Sequence, residues 1–119
     1  MGNGRHLILD LYGCDPQILD DFDELKRLLE AALVMAKANI LRIIGEKFDP
    51  QGVTLVALLA ESHASIHTWP EERYAAVDLY TCGDTTQTHK AAEFLKAKLK
   101  AEDAEEKEIA RAVNKNVYS

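Results

Sequence analysis

The densest group of reactive side chains in the sequence lies in an eleven-residue segment, 61–71. It reads E-S-H-A-S-I-H-T-W-P-E and holds two serines, two histidines, two acids and the chain's single tryptophan. An apolar run, 53–60, precedes it directly. A nucleophile, a base and walls that exclude water are the parts that a reactive site needs. The segment is therefore the first candidate for a functional site.

The residue types alone leave four interpretations of this segment open. It can be a polar strand edge or turn whose side chains satisfy backbone groups. His63 and His67, with Cys14 and Cys82, suggest a metal site, but on an extended chain the two imidazoles lie about 13 Å apart. A serine hydrolase would use Ser62, which lacks the G-x-S-x-G turn of that class. The fourth interpretation is a serine at which the chain cuts itself.

Five runs rich in strand-forming residues could position this segment. They are 6–12, 39–48, 53–60, 74–82 and 105–113. The turn 49–52, which contains proline and glycine, predicts an antiparallel hairpin between the second and third runs. The run 53–60 is apolar almost throughout, which predicts a strand covered on both faces.

Two segments have the apolar periodicity of helices. The first predicts one helix over 16–36, with Asp15 as its cap and Pro16 at its first position. The second begins after a cap at Thr85 or Thr86. The order β-α-β-β-β-α-β predicts an α+β fold, a two-layer sandwich in which two helices cover one face of a largely antiparallel sheet. We expect residues 1–119 to form a single domain.

The composition excludes several classes of protein. The chain has 119 residues, 47% of them hydrophobic and 29% charged, with a net charge of −6. Such a chain is too apolar to be disordered and too acidic to favour a nucleic-acid partner. No apolar run approaches the roughly 20 residues of a membrane span, and the N-terminus lacks the apolar region of a signal peptide. We therefore expect a cytoplasmic protein with Cys14 and Cys82 reduced.

Two blocks of sequence closely resemble the signature of the prokaryotic S-adenosylmethionine decarboxylases. The first is segment 61–71 itself, and the second is 74–84, which reads Y-A-A-V-D-L-Y-T-C-G-D. Residues 9–15 and 47–53 are similar to that family's opening strand and to its hairpin before the cleavage segment. The matching blocks span most of residues 6–100, and beyond residue 100 the resemblance fades.

The resemblance implies that the chain is a proenzyme that cleaves itself between Glu61 and Ser62. The Ser62 hydroxyl would attack the Glu61 carbonyl, and the ester would undergo β-elimination after His67 accepts the Cα proton. The products would be a beta chain, 1–61, and an alpha chain, 62–119. Hydrolysis of the new alpha-chain end would give a covalent pyruvoyl cofactor derived from Ser62, and no metal is implied.

The resemblance also implies the reaction and the groups that bind its substrate. The pyruvoyl ketone would react with the amine of S-adenosylmethionine and accept electrons from the departing carboxylate, giving the aminopropyl donor for spermidine synthesis. Cys82 would be the proton donor, Phe48 would stack on the adenine, and Glu71 would hold the ribose hydroxyls. A homodimer of processed protomers is implied, and a small domain needs such help to enclose this substrate.

The residues keep alternatives open beside this interpretation. Without the resemblance, Cys82 and Phe48 would be core residues and His67 a hydrogen-bonded strand residue; His6 and His89 are interpreted as surface residues. The family usually has serine at position 54, which is threonine here, and this departure bears on substrate choice. Two alternatives therefore stay open. In one, the same machinery acts on arginine or ornithine; in the other, the chain is a binding homologue that is not processed.

Overall fold

The sheet is the frame on which the candidate site is built. The computed structural model describes residues 4–60, 62–82 and 87–112, and these form six strands in the order β2-β3-β4-β5-β1-β6 with every neighbouring pair antiparallel. The strands are β1 (Gly4–Tyr12), β2 (Ile40–Lys47), β3 (Val53–Leu59), β4 (His63–Trp69), β5 (Tyr74–Cys82) and β6 (Asp103–Arg111).

The helices cover only one face of this sheet. They are α1 (Pro16–Leu19), α2 (Phe22–Met35) and α3 (Thr88–Lys98), and a 3₁₀ turn, Pro70–Glu72, follows β4. Inward-facing strand residues such as Leu9 and Ile66 join Leu29 and Leu95 of the helices in one buried core. The prediction of an α+β sandwich with helices on one face of an antiparallel sheet is confirmed.

The first helix is broken where the sequence predicts a continuous one. Asp15 caps α1 and Pro16 occupies its first turn, as expected. The helix stops at Leu19 because the next two residues have other partners: Asp21 caps α2 by accepting a hydrogen bond from the Glu24 amide. Asp20 accepts one from the Gly52 amide, 2.9 Å away. The prediction of one helix over 16–36 is therefore wrong.

The candidate segment contributes a strand that the predicted order leaves out. β4 pairs with β3 and β5, and it makes the sheet six-stranded rather than five-stranded. The final run is a strand, as predicted, and it lies at the sheet edge beside β1. The predicted cap at Thr85 or Thr86 lies outside the described residues; α3 begins at Thr88 after Gln87.

The second face of the sheet carries exposed apolar side chains. Val56 and Leu58 of β3 are 37% and 53% exposed, so the prediction that this strand is covered on both faces is wrong for the single chain. Ile44 and Ile109 are also exposed, and their pairing partners place them on this face. We call it the open face. Among the described residues, no helix is long and apolar enough to cross a membrane.

Candidate active site

Strand alternation sends the two histidines and Ser65 of segment 61–71 to the open face. Ala64, Ile66 and Thr68 of β4 are buried toward the helices. His63, Ser65 and His67 therefore point the other way, because successive side chains of a strand alternate between faces. The open face thus carries both histidines and the second serine of the segment.

Asp78 of β5 is the hub of a hydrogen-bonded cluster on this face. Its Oδ2 lies 2.7 Å from His6 Nε2 and 3.2 Å from His63 Nε2, and its Oδ1 accepts a hydrogen bond from the Ser65 hydroxyl. Burial works to raise the pKa of Asp78, but the bonds from Ser65 and the two histidines outweigh it and lower the pKa. Asp78 is therefore an ionised carboxylate at neutral pH.

Asp78 and His6 are residues that the sequence reasoning missed. His6 was expected at the surface, yet it is only partly exposed, bonded to Asp78 and stacked on Tyr80 at a centroid distance of 5.1 Å. One signal could have found Asp78: it is an acid in the middle of a strand, at an outward position of the alternation. His6 gave no such signal, because its meeting with Asp78 depends on the pairing of β1 with β5.

Ser62 lies immediately before β4, beside this cluster. Its carbonyl accepts a hydrogen bond from the Leu59 amide, which closes the turn between β3 and β4. Its Oγ lies 3.5 Å from His63 Nδ1, and His63 Nε2 reaches Asp78. A serine hydroxyl, an imidazole and a carboxylate are thus linked in series. Glu61, the other half of the expected cleavage site, lies outside the described residues.

Cys82 lies at the same end of the open face as Ser62. His63 pairs with Tyr80, and Cys82 is two residues further along β5. The inward residues of β5 are the odd-numbered ones, so Cys82 shares the open face with Tyr80 and Asp78. Cys14 is different: it is fully buried in the core, and burial raises the pKa of its thiol to about 11. Cys14 is therefore an unreactive core residue.

His67 is on the open face but far from Ser62 of its own chain. β4 pairs regularly along its length on both sides. Five steps of about 3.3 Å separate the two residues by about 16 Å along the strand. The partner of His67 is Thr54 of β3, whose Oγ1 lies 3.1 Å from His67 Nδ1. Within one chain, the structure does not bring Ser62 and His67 together.

Phe48 and Glu71 lie at the His67 end of the sheet. Phe48 follows β2, is 47% exposed, and donates its amide to the Gly52 carbonyl at 2.8 Å. Glu71 is exposed in the 3₁₀ turn that follows β4. Ser62 comes before β4, so the whole length of that strand, about 20 Å, separates it from both residues.

The open face holds a cavity of about 510 Å³ between these two ends. Its lining includes His6, Ser65, His67 and Asp78, with apolar walls from Ile8 and Val56. A cavity of about 560 Å³ beside α1 is lined mainly by polar residues of the helix side, away from the reactive segment. The open-face cavity is therefore the one that matches the chemistry.

The four residues considered from the sequence as metal ligands do not lie together. Cys14 is buried in the core, on the helix side of the sheet, whereas His63 and His67 lie on the open face. Among the described residues, one other group has ligand atoms within 4.8 Å of one another, namely His6, His63 and Asp78. Its contacts of 2.7 and 3.2 Å have the lengths of ordinary hydrogen bonds.

Comparisons with known proteins agree with the resemblance seen in the sequence. The family model for S-adenosylmethionine decarboxylase matches residues 5–112. A protein of a Synechococcus species, named S-adenosylmethionine decarboxylase proenzyme, is 54% identical over 98 residues, which cover 82% of this chain and 77% of the relative. A protein of the same name from Methanococcus maripaludis is 44% identical over 110 residues, covering 92% and 90%.

A solved structure agrees as well. The crystal structure of the adenosylmethionine decarboxylase from Aquifex aeolicus superposes with a TM-score of 0.88 at 36% identity, covering 96% of this chain and 94% of that one. These relatives are named for the adenosyl substrate, and they lend no support to arginine or ornithine. The chain belongs to the S-adenosylmethionine decarboxylase family.

Proposed function

We propose that this chain is a self-processing S-adenosylmethionine decarboxylase that cuts itself between Glu61 and Ser62. One observation carries the proposal: in a chain of this family, the Ser62 hydroxyl lies 3.5 Å from Nδ1 of His63, an imidazole on the open face. The relatives that match over most of the chain are named proenzymes, which is the name given to a precursor that is cut.

The cleavage follows from the position of Ser62 in the chain. Ser62 Oγ attacks the Glu61 carbonyl, the peptide C–N bond breaks, and the acyl group moves from nitrogen to oxygen as an ester. A base then removes the Cα proton of residue 62, and the ester C–O bond breaks to release the Glu61 carboxylate. The dehydroalanine that remains takes up water and loses ammonia, which leaves a pyruvoyl group. Chains 1–61 and 62–119 result.

The surroundings of position 62 fit a pyruvoyl group. Residue 62 is partly buried, it borders the open face, and the Cys82 thiol lies at the same end of the sheet. The ketone of such a group supplies an electron sink for the decarboxylation of S-adenosylmethionine. Cys82 supplies the proton that the substrate Cα takes up when carbon dioxide has left.

The site is completed by a second copy of the chain. One end of the open face carries Ser62 and Cys82, and the other carries Thr54, His67 and the residues expected to bind the nucleoside. When the two-fold axis lies between the two open faces and runs across the strands, opposite ends of the faces meet. Ser62 of one protomer then meets the partner's His67. The exposed apolar side chains of the face are what such an interface would bury.

The dimer also assigns the nucleoside contacts. Phe48 and Glu71 of one subunit would bind a substrate that reacts at residue 62 of the other, because both residues are a strand's length from their own Ser62. Phe48 is exposed and free to stack on adenine, an interaction worth about 1–3 kcal/mol. Glu71 is exposed and can accept hydrogen bonds from the ribose hydroxyls.

Mass spectrometry of the purified protein tests the proposal. The preparation should resolve into chains 1–61 and 62–119, the second without a free amino terminus, and should release carbon dioxide from S-adenosylmethionine. Ser62→Ala should remain a single chain of about 13.3 kDa without activity. A wild-type chain that stays intact after long incubation would contradict the proposal.

A further inference from the structure

We propose that His63, held by Asp78, is the base that activates the Ser62 hydroxyl for the acyl shift, and that His67 acts only in the later β-elimination. This inference rests on the proposed function and deepens it. It assigns the two protons of the cleavage to two different histidines. His63 touches a reacting atom and is a catalytic residue, whereas Asp78 acts through His63 and is a positioning residue.

The hydrogen bonds around His63 are those that a base needs. Nδ1 faces the Ser62 hydroxyl at 3.5 Å and can accept its proton, while Nε2 faces Asp78 Oδ2 at 3.2 Å and donates to it. These contacts select the neutral tautomer with its proton on Nε2. When Nδ1 takes the serine proton, the imidazolium that forms lies against a carboxylate, which stabilises it.

Asp78 is prepared for this role by its other partners. Ser65 donates to Oδ1, and His6 lies 2.7 Å from Oδ2, so the carboxylate stays ionised and fixed. The His63 ring is also held from its sides, edge-on to the rings of His6 at 5.9 Å and Tyr80 at 5.6 Å. The imidazole is therefore positioned before the reaction begins.

His67 has neither the place nor the partners for the first step. It lies about 16 Å along β4 from its own Ser62 and bonds to Thr54. In the proposed dimer it approaches residue 62 from the other subunit and takes the Cα proton. The proton balance then closes: His63 takes the hydroxyl proton and passes it to the departing amide nitrogen, and His67 takes the Cα proton.

Trapping the ester separates the two roles. Hydroxylamine cleaves an ester at position 62 and leaves a hydroxamate on Glu61, so it reports the acyl shift without the elimination. His67→Ala should be stable in buffer yet cut by hydroxylamine. His63→Ala should resist both, with ester formation slowed about 10²-fold or more, and added imidazole should partly restore it. His89→Ala is the control, because His89 bonds to Glu106 of β6 instead.

The role of Asp78 is tested by measuring whether the effect of its substitution requires His63. Asp78→Asn should slow ester formation and Asp78→Glu should recover part of it, whereas Asp78→Asn added to His63→Ala should slow it no further. A melting curve for each variant confirms that it is folded. If wild type cleaves and His63→Ala forms its ester at the wild-type rate, the inference fails while the proposed function stands. If wild type stays uncut, both fail. The inference about His63 would also be overturned if a chelator that removes metal ions stopped the cleavage.

Discussion

At the scale of single residues, our proposal gives two kinds of role to groups at one end of the open face: Ser62 and His63 act on the chain itself, and Cys82 acts on the substrate. Ser62 and His63 face each other in the uncut chain, so their contact belongs to the precursor. Cys82 lies at the same end and has no hydrogen bond to Ser62 among those found in the described residues. We propose that its thiol serves a later step, the protonation of the substrate.

Substitution of His67 and Cys82 separates these two stages. His67→Ala should leave the chain uncut, because the base for β-elimination is missing and residue 62 remains bound to residue 61. Cys82→Ala should still be cut, since neither the acyl shift nor the elimination needs a proton at the substrate. Its turnover should fall about 10²–10⁴-fold, the usual contribution of a general acid.

Intact mass spectrometry measures the cleavage, and carbon dioxide release measures the turnover. Surviving Cys82→Ala turnover should also inactivate faster, because slow protonation of the substrate leaves time for protonation at the cofactor carbon. A Cys82→Ala chain that turns over at the wild-type rate would show that the donor lies elsewhere.

The reactive residues were predictable to different degrees. The roles expected for Ser62, His67 and Cys82 come from the resemblance of two short segments to a family signature, which a single sequence displays directly. The Asp78 cluster is not local: it joins β1, β4 and β5, and its members are up to 72 positions apart. Only the order and register of the strands bring them together, and the local pattern of one sequence does not show that β1 pairs with β5.

At the scale of elements, β4 shows why a strand rich in polar residues was missed. Its inward residues Ala64, Ile66 and Thr68 alternate with outward polar ones, which is the pattern of a half-buried strand. The sequence indicates extended chain here, but the predicted order of elements counts no strand between 53–60 and 74–82. The helix break at Asp20 was missed for another reason, since the groups that hold it are Gly52 and Lys47, about thirty residues away.

The link from Asp20 to the β2–β3 turn predicts a pH-dependent contribution to stability. The hydrogen bond from the Gly52 amide and then the Lys47 ammonium lower the pKa of Asp20. The folded pKa is thus below the unfolded one, so the contribution is complete above the unfolded pKa and is lost as pH falls through the folded pKa. Asp20→Ala should lower Tm by about 2–4 °C at pH 7.

This difference should begin to shrink as pH falls below about 3.9, the ordinary pKa of Asp, and should vanish once Asp20 is protonated in the folded chain as well. Thermal melts of the uncut Ser62→Ala chain, with and without Asp20→Ala, measure it from pH 7 downward. Glu30→Ala, an exposed change on α2, is the control and should leave Tm unchanged at every pH. A Tm difference for Asp20→Ala that stays constant into acid would rule out the ionised carboxylate as its source.

At the scale of the whole molecule, the open face explains why the composition of residues 53–60 does not match their exposure in the single chain. Residues 53–60 have the composition of a strand buried on both faces, yet Val56 and Leu58 are exposed in one chain. A partner's open face would bury them, and the composition would then match the assembly rather than the protomer. The sequence pattern of residues 53–60 indicates a strand that is covered on both faces, but it does not identify what covers the open face.

The two-subunit site makes a prediction that a single-chain site does not share. Chains carrying Ser62→Ala and chains carrying His67→Ala should each be uncut alone. In a mixed dimer, Ser62 of the His67→Ala chain meets the partner's His67, so that chain, and only that chain, should be cut. Co-expression with two different affinity tags isolates the mixed dimer, and the mass of each tagged chain shows which one was cleaved.

A second mixed dimer should give the opposite result, and it serves as a control for residual cleavage. Wild type paired with the double variant Ser62→Ala/His67→Ala contains the same set of side chains, but its one Ser62 faces the alanine that replaces His67. That dimer should stay uncut. If β-elimination instead used the histidine of the same chain, the wild-type subunit would be cut here and the first mixed dimer would remain intact. The two dimers thus decide by opposite results which subunit supplies the base.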